Sequence, residues 1–364
     1  MTELTSQRDH YPALDGLRGI AILLVVFFHN FGFINYFFFG WLGVDLFFVL
    51  SGFLITDILI RGMGTKNFLK SFYIKRVLRI FPIYFLLLII FLIIIPSLPS
   101  YDGSLKYYTD NQIWLWTYLQ NWLFAFREQQ TTNVLMHLWS LGVEEQYYLI
   151  WPFIILIFRK PKILLTISLL LLLAIIAVRL ILWQKQVEGL SYFSLYTFTR
   201  IDGICIGSAL ALLRFIWPKF ITNNTPYIII FVATINFIFY FINEASTTLF
   251  PYFPFLGYST FAIVFAVIVY EAATCNRNFI TIPLSFAPLR FIGKISYGFY
   301  IFHWPVYKWL YPGLAEYFNS FSFTGKIAPN IIAALVATVA GFLISVLSFY
   351  SFEIRFLKLK KYFR

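Results

Sequence analysis

The stretch Ile163–Trp183, ILLTISLLLLLAIIAVRLILW, is an apolar run broken by a single charge. A bilayer core is crossed by roughly 20 apolar residues in a helix, so this run is long enough to span one. Similar runs recur along the chain. The spacing predicts ten membrane segments: Leu14–Phe31, Trp41–Ile60, Phe72–Ile95, Trp139–Phe158, Ile163–Trp183, Ile201–Trp217, Pro226–Ile242, Leu256–Ala273, Phe291–Leu310 and Ile331–Phe352. Only 12% of residues are charged, against about one quarter in a soluble domain. The expected fold is all-α, a polytopic integral membrane bundle of about ten transmembrane helices. Residues 1–364 are expected to form a single membrane-embedded domain, with no separate soluble domain.

The net charge of +12 does not point to nucleic acid, because it is distributed by side. With the N-terminus inside, 21 of the 28 Lys and Arg fall in inner stretches. The others are Lys106, Arg127, Arg179, Lys185, Arg200, Lys308 and Lys326. That bias follows the positive-inside rule and predicts two cytoplasmic termini in a multi-pass protein of the cell membrane. The basic, aromatic tail EIRFLKLKKYFR suits anionic headgroups. No small-residue cleavage site follows the first apolar run, which is expected to be retained. Cys205 and Cys275 lack metal-ligand spacing and are expected to lie too far apart to pair. The longest outer segment, Pro96–Leu138, holds the aromatic stretch IWLWTYLQNWLFAF, expected as one interfacial or re-entrant helix. Neither tandem repeats nor paired broken segments of the inverted-repeat transporter kind are seen.

Ionisable residues inside apolar helices are costly and point to function. The first helix reads DGLRGIAILLVVFFHN. Arg18 and His29 are eleven residues apart, close to three turns, so they share a face at roughly 16 Å, with Asp15 one turn before Arg18. An imidazole takes and returns a proton near neutral pH, which makes His29 a candidate base. Asp45, in WLGVDLFFVLSGFLIT, is expected at a similar depth, where a carboxylate could fix the tautomer of His29. Ser51 and Gly52 read as packing residues that let helices approach. Arg76 and Arg79 lie on one helix face; two guanidiniums grip a phosphate, although an inner-loop anchor is the plainer reading.

In MHLWSLGVEEQYY, a spacing of seven puts His137 and Glu144 on one helical face, and the adjacent Glu145 points elsewhere. Arg200 and Asp202 read either as a surface ion pair of little worth or as polar contacts for an outer substrate. In ISYGFYIFHWPVY, Tyr297, Tyr300 and His303 are polar positions in or near a span; Tyr300 and His303 share a face. For these, and for His29 itself, the plain alternative is a hydrogen-bonded helix interface.

Taken in order, DGLRGIAILLVVFFHN, GVDLFFVLSGFLIT, KRVLRIFP, HLWSLGVEEQYY, RIDGICIGSALA and ISYGFYIFHWPVY resemble the membrane acyltransferases of family three over almost the whole chain. The resemblance implies transfer of an acyl group, most often acetyl, from cytoplasmic acyl-CoA to a hydroxyl of an extracytoplasmic or lipid-linked carbohydrate. It implies His29 as the catalytic histidine, Arg18 as its motif partner, and Arg76 and Arg79 on the donor side. Asp45, Glu144, Asp202 and Tyr297 match positions the family keeps polar. Many members carry a C-terminal esterase-like domain, which this sequence is expected to lack. No permanently bound cofactor or metal is implied; acyl-CoA is the donor substrate. His29 would act as general base or as a transient acyl carrier, oriented by Asp45 or Glu144, with His137, Arg200, Asp202, Tyr297 and His303 toward the substrates. The competing readings are a glycan or lipid transporter or flippase, and a non-catalytic membrane scaffold.

Overall fold

Pro12 occupies the first helical turn of the leading apolar segment, where its missing N–H costs nothing. In the computed structural model, which describes residues 11–65, 67–126, 132–185, 194–218, 220–245, 256–273, 281–321 and 327–363, each of the ten expected segments falls on a helix. These are α1 Pro12–Asn30, α2 Leu42–Gly62, α3 Phe68–Ile89, α4 Trp139–Phe158 and α5 Pro161–Gln184. They continue with α6 Asp202–Ile216, α7 Phe220–Ala245, α8 Tyr258–Ala273, α9 Ala287–Asn319 and α10 Ile327–Ser348. Among the described residues, six helical stretches are long and apolar enough to cross a membrane: Pro12–Asn30, Asn35–Gly62, Phe68–Ser97, Met136–Phe158, Pro161–Gln184 and Ile327–Tyr362. The apolar stretches Thr225–Ile238 and Tyr258–Ala273 are shorter.

The bundle is organised around α1, which packs between α9 and α2. Helix α10 covers α9, and α2 leans on α6, which in turn contacts α5 and α8. Small residues set these approaches, as is common where lipid removes the hydrophobic drive for helix association. A side chain at Gly52 of α2 would strike the Ile204 carbonyl of α6, and one at Gly207 would strike the Val49 carbonyl. Reciprocal contact therefore holds α2 and α6 backbone to backbone.

The aromatic outer stretch is not the single helix expected. It is two short ones, Gln112–Trp116 and Gln120–Phe126, preceded by a third at Lys106–Asp110. The chain turns at Tyr118, whose φ is 58° and whose ring stacks on Tyr84 at 4.2 Å. Polar side chains then fold inward. Gln120 Nε2 donates to the Leu138 carbonyl at 2.7 Å, and Asn121 Nδ2 donates to Thr197 Oγ1 at 2.8 Å. Cys205 is buried as a free thiol. Cys275 and the cations Arg8, Lys66, Arg127, Lys219, Arg277, Lys326 and Arg364 lie outside the described residues.

Candidate active site

The packing of α1 on α9 brings two histidines together. His29 Nδ1 lies 2.8 Å from His303 Nε2, and the rings stack with centroids 5.1 Å apart. His303 Nδ1 faces the carbonyls of Tyr300 at 2.8 Å and Phe299 at 3.1 Å. A carbonyl only accepts, so in the neutral ring Nδ1 of His303 carries the proton and Nε2 the lone pair. His29 Nδ1–H therefore donates to that lone pair. The remaining nitrogen of His29, Nε2, keeps a lone pair, which is what a general base needs. His137 joins the group edge-on, with its ring 5.5 Å from that of His303 and Nε2 3.2 Å from the Ile301 carbonyl. A cleft lined by His29, Phe33, Trp304, Tyr307 and Lys308 opens beside these histidines.

A second pocket gathers Arg18, Arg76 and Arg79 with Ser51, Glu144 and Tyr300. Arg18 pairs with Asp15 at 3.2 Å. The Arg76 guanidinium sits 3.8 Å over the Tyr148 ring, and its Nε is buried without a hydrogen-bond partner. Three guanidiniums in one pocket repel one another, and an anion held in fork geometry relieves that repulsion. Tyr300 belongs to both regions. It lines the arginine pocket, shares a 2.7 Å hydrogen bond with Ser140 Oγ and donates to the His137 carbonyl. Its ring lies 5.7 Å from that of His303. Tyr300 lines the arginine pocket and His303 bonds His29 of the cleft, so the Tyr300–His303 step links the two.

Asp45 does not reach His29. Its Oδ1 accepts from Arg200 Nη2 at 2.6 Å, with both side chains buried. Asp202 pairs instead with Arg179 at 2.8 Å, and Ser259 Oγ donates to it at 2.7 Å. Arg200 also stacks 3.8 Å over Tyr258. Arg200 and Asp202 are therefore neither a surface pair nor a pair with each other, because side chains two apart on a helical backbone diverge. Glu144 does not orient His29 either; Ser51 Oγ donates to it at 2.8 Å beside the arginines. Nor do His137 and Glu144 share an α-helical face. His137 sits in the 3₁₀ turn Met136–Leu138, and α4 begins only at Trp139. Tyr297 lines the arginine pocket and donates to the Ile80 carbonyl at 3.0 Å.

Sequence reasoning passed over Ser51, Ser140 and Arg179 as site or network residues. Arg179 carried a signal, a guanidinium inside an apolar run. Ser51 and Ser140 carried none, since serines are ordinary at helix contacts.

A family model described as an acyltransferase domain matches residues 11–350. Among similar curated proteins is the peptidoglycan O-acetyltransferase OatA of Listeria monocytogenes. It is 31% identical over 361 residues, covering 94% of this chain and 55% of OatA. YrhL of Bacillus subtilis is 32% identical over 333 residues, covering 84% of this chain and 50% of YrhL. The chain spans about half the length of the curated relatives it matches. No solved structure matches it. A helical membrane bundle that joins an arginine pocket to a histidine pair, and an acyltransferase match over nearly its whole length, lead to one conclusion: the chain is a multi-pass membrane protein and belongs to the family-three acyltransferases.

Proposed function

We propose that this protein is a membrane O-acetyltransferase that moves acetyl from cytoplasmic acetyl-CoA to a hydroxyl of an extracytoplasmic or lipid-linked glycan. A peptidoglycan-type acceptor is the first choice, because OatA is named for that substrate. The observation that carries the reading is the Tyr300–His303 step, with guanidiniums on one side and the open histidine cleft on the other.

Acetyl-CoA enters from the cytoplasm, its phosphates on Arg18, Arg76 and Arg79, its thioester reaching toward Tyr300 and Ser140. His29 Nε2 takes the proton of the acceptor hydroxyl as the oxygen attacks the thioester carbonyl. His303 holds His29 in the tautomer that exposes Nε2 and shares the positive charge that develops. The tetrahedral intermediate collapses to the ester and expels the CoA thiolate, which takes the proton back from His29. The Tyr300 hydroxyl accepts from Ser140 and donates to the His137 carbonyl, and so fixes the step between the donor pocket and the histidines. Direct attack is favoured over an acetyl-histidine, because the hydrogen-bonded pair already supplies a base. Both termini lie in the cytoplasm and the histidine cleft faces outward in this reading.

The test is the release of free thiol by purified protein given acetyl-CoA and peptidoglycan-derived oligosaccharides, together with mass spectrometry of the product. Acceptor-dependent thiol release and a 42 Da gain on the sugar are expected, about one acetyl group in mass. Full transfer by His29→Ala protein would sink the assignment of the base.

A further inference from the structure

A cavity of about 770 Å³ lies outside both the arginine pocket and the histidine cleft. It forms where the outer segment after α3 folds over α9. Its lining mixes the aromatic faces of Tyr101 and Trp309, the polar Asp102 and Asn133, apolar Leu98 and the cation Lys308. Lys308 also lines the histidine cleft, so the two spaces share one residue. The rim is tied to the histidine pair, because Trp304, whose ring lies 4.8 Å from that of His29, donates from Nε1 to the Asn133 carbonyl at 2.9 Å.

Lys308 is exposed, and its Nζ stands 4.6 Å from the Trp304 ring. Among the described residues it forms no ion pair, unlike Arg179 and Arg200, whose carboxylate partners are buried with them. It lines the same cleft as His29. Asp102, the carboxylate of the lining, is engaged in its own turn, accepting the Ser104 N–H at 2.9 Å. A cavity with ring faces, a few hydrogen-bonding groups and one unpaired cation suits a sugar with an anionic substituent. The rings take the C–H face of a pyranose. The amide and hydroxyl groups meet its hydroxyls. The ammonium draws the negative charge to the edge nearest the base.

We propose that this cavity is the acceptor subsite, that it takes a carboxylate-bearing saccharide, and that Lys308 receives the carboxylate and so selects anionic over neutral acceptors. The proposal rests on the acyl-transfer reading for the direction in which the sugar is presented, but binding tests it apart from turnover. Binding of N-acetylglucosaminyl-N-acetylmuramic acid and of its neutral methyl ester is measured by calorimetry on full-length His29→Ala protein in phosphatidylcholine nanodiscs. These discs supply no net anionic headgroup.

The free acid should bind at least about tenfold more tightly than the ester, a difference of about 1.4 kcal/mol. Adding Lys308→Ala should bring the acid down to the affinity of the ester, and adding Lys308→Arg should keep the preference. Equal binding of acid and ester, binding of neither, or a preference that survives Lys308→Ala overturns the proposal. So does loss of the preference when phosphatidylglycerol is added, which would make Lys308 a headgroup site. Since the readout needs no turnover, failure of the wild-type protein to transfer acetyl sinks the catalytic reading and leaves this result standing, and the reverse holds.

Discussion

His29 Nδ1 donates to His303 Nε2 across 2.8 Å, although 274 positions separate the two residues in the chain. The second histidine is itself fixed by the carbonyls of Tyr300 and Phe299. The pair therefore has a direction: a proton on each Nδ1, and a lone pair exposed on His29 Nε2.

That direction makes His303 separable from His29. Replacing His29 by Ala removes the proposed base and should cost about 10²–10⁴-fold in kcat. Replacing His303 by Ala leaves the buried His29 Nδ1–H without an acceptor, a loss of about 1–3 kcal/mol. The expected result is a drop of roughly 10–100-fold in kcat, with the KM for acetyl-CoA unchanged. His303→Gln, whose side-chain oxygen still accepts, should recover part of it. A KM effect as large as the kcat effect would instead place His303 in donor binding.

For the arginine pocket, the donor's phosphates decide the test. Arg76→Ala with Arg79→Ala should raise the KM for acetyl-CoA at least about tenfold, because charge-assisted hydrogen bonds contribute roughly 1.5–3 kcal/mol each. With S-acetylpantetheine, which lacks phosphate, wild type and double variant should behave alike. A KM for acetyl-CoA that does not move would end the donor-grip assignment.

The buried pair that Asp45 makes with Arg200 predicts a part for it in the stability of the bundle. Asp45→Ala strands the buried Arg200 guanidinium, whose Nε and Nη1 already lack partners, and breaking a buried pair costs about 3–5 kcal/mol. Thermal unfolding in nanodiscs should show a clear fall in Tm. Asp45→Ala combined with Arg200→Met should be less destabilised than Asp45→Ala alone. A Tm like that of the wild type for Asp45→Ala, with activity lost, would return Asp45 to the catalytic group.

Gly207 tests the close approach of α2 and α6. Gly207→Leu drives a side chain into the Val49 carbonyl, and overpacking of this kind costs about 1–3 kcal/mol. The same change at Gly313, where nothing lies within 4 Å, should leave the unfolding free energy within about 0.5 kcal/mol of wild type.

The helices themselves were readable because hydropathy is local. Runs such as Ile163–Trp183 declare a helix whatever packs beside them, and α5 follows that run to within two residues at its start. The aromatic outer segment was less readable. Its breaks come from Tyr118 stacking on Tyr84 and from Gln120 and Asn121 turning inward to distant acceptors, and none of those partners is near in sequence.

The sequence by itself determined that the chain is a helical membrane bundle, and it marked His29, Arg18 and Asp45 as groups too costly to bury without purpose, while Arg76 and Arg79 read more plainly as an inner-loop anchor. Helical period places a side chain on a face of its own helix, and that much follows from spacing alone. It does not say which other face will be opposite. Only the tertiary structure decided that His29 meets His303 rather than Asp45, that Asp45 is taken by Arg200, and that Glu144 stands with the arginines. Those pairings depend on the order and rotation of helices in the bundle, set by contacts such as Gly52 against Ile204, which lie far apart along the chain.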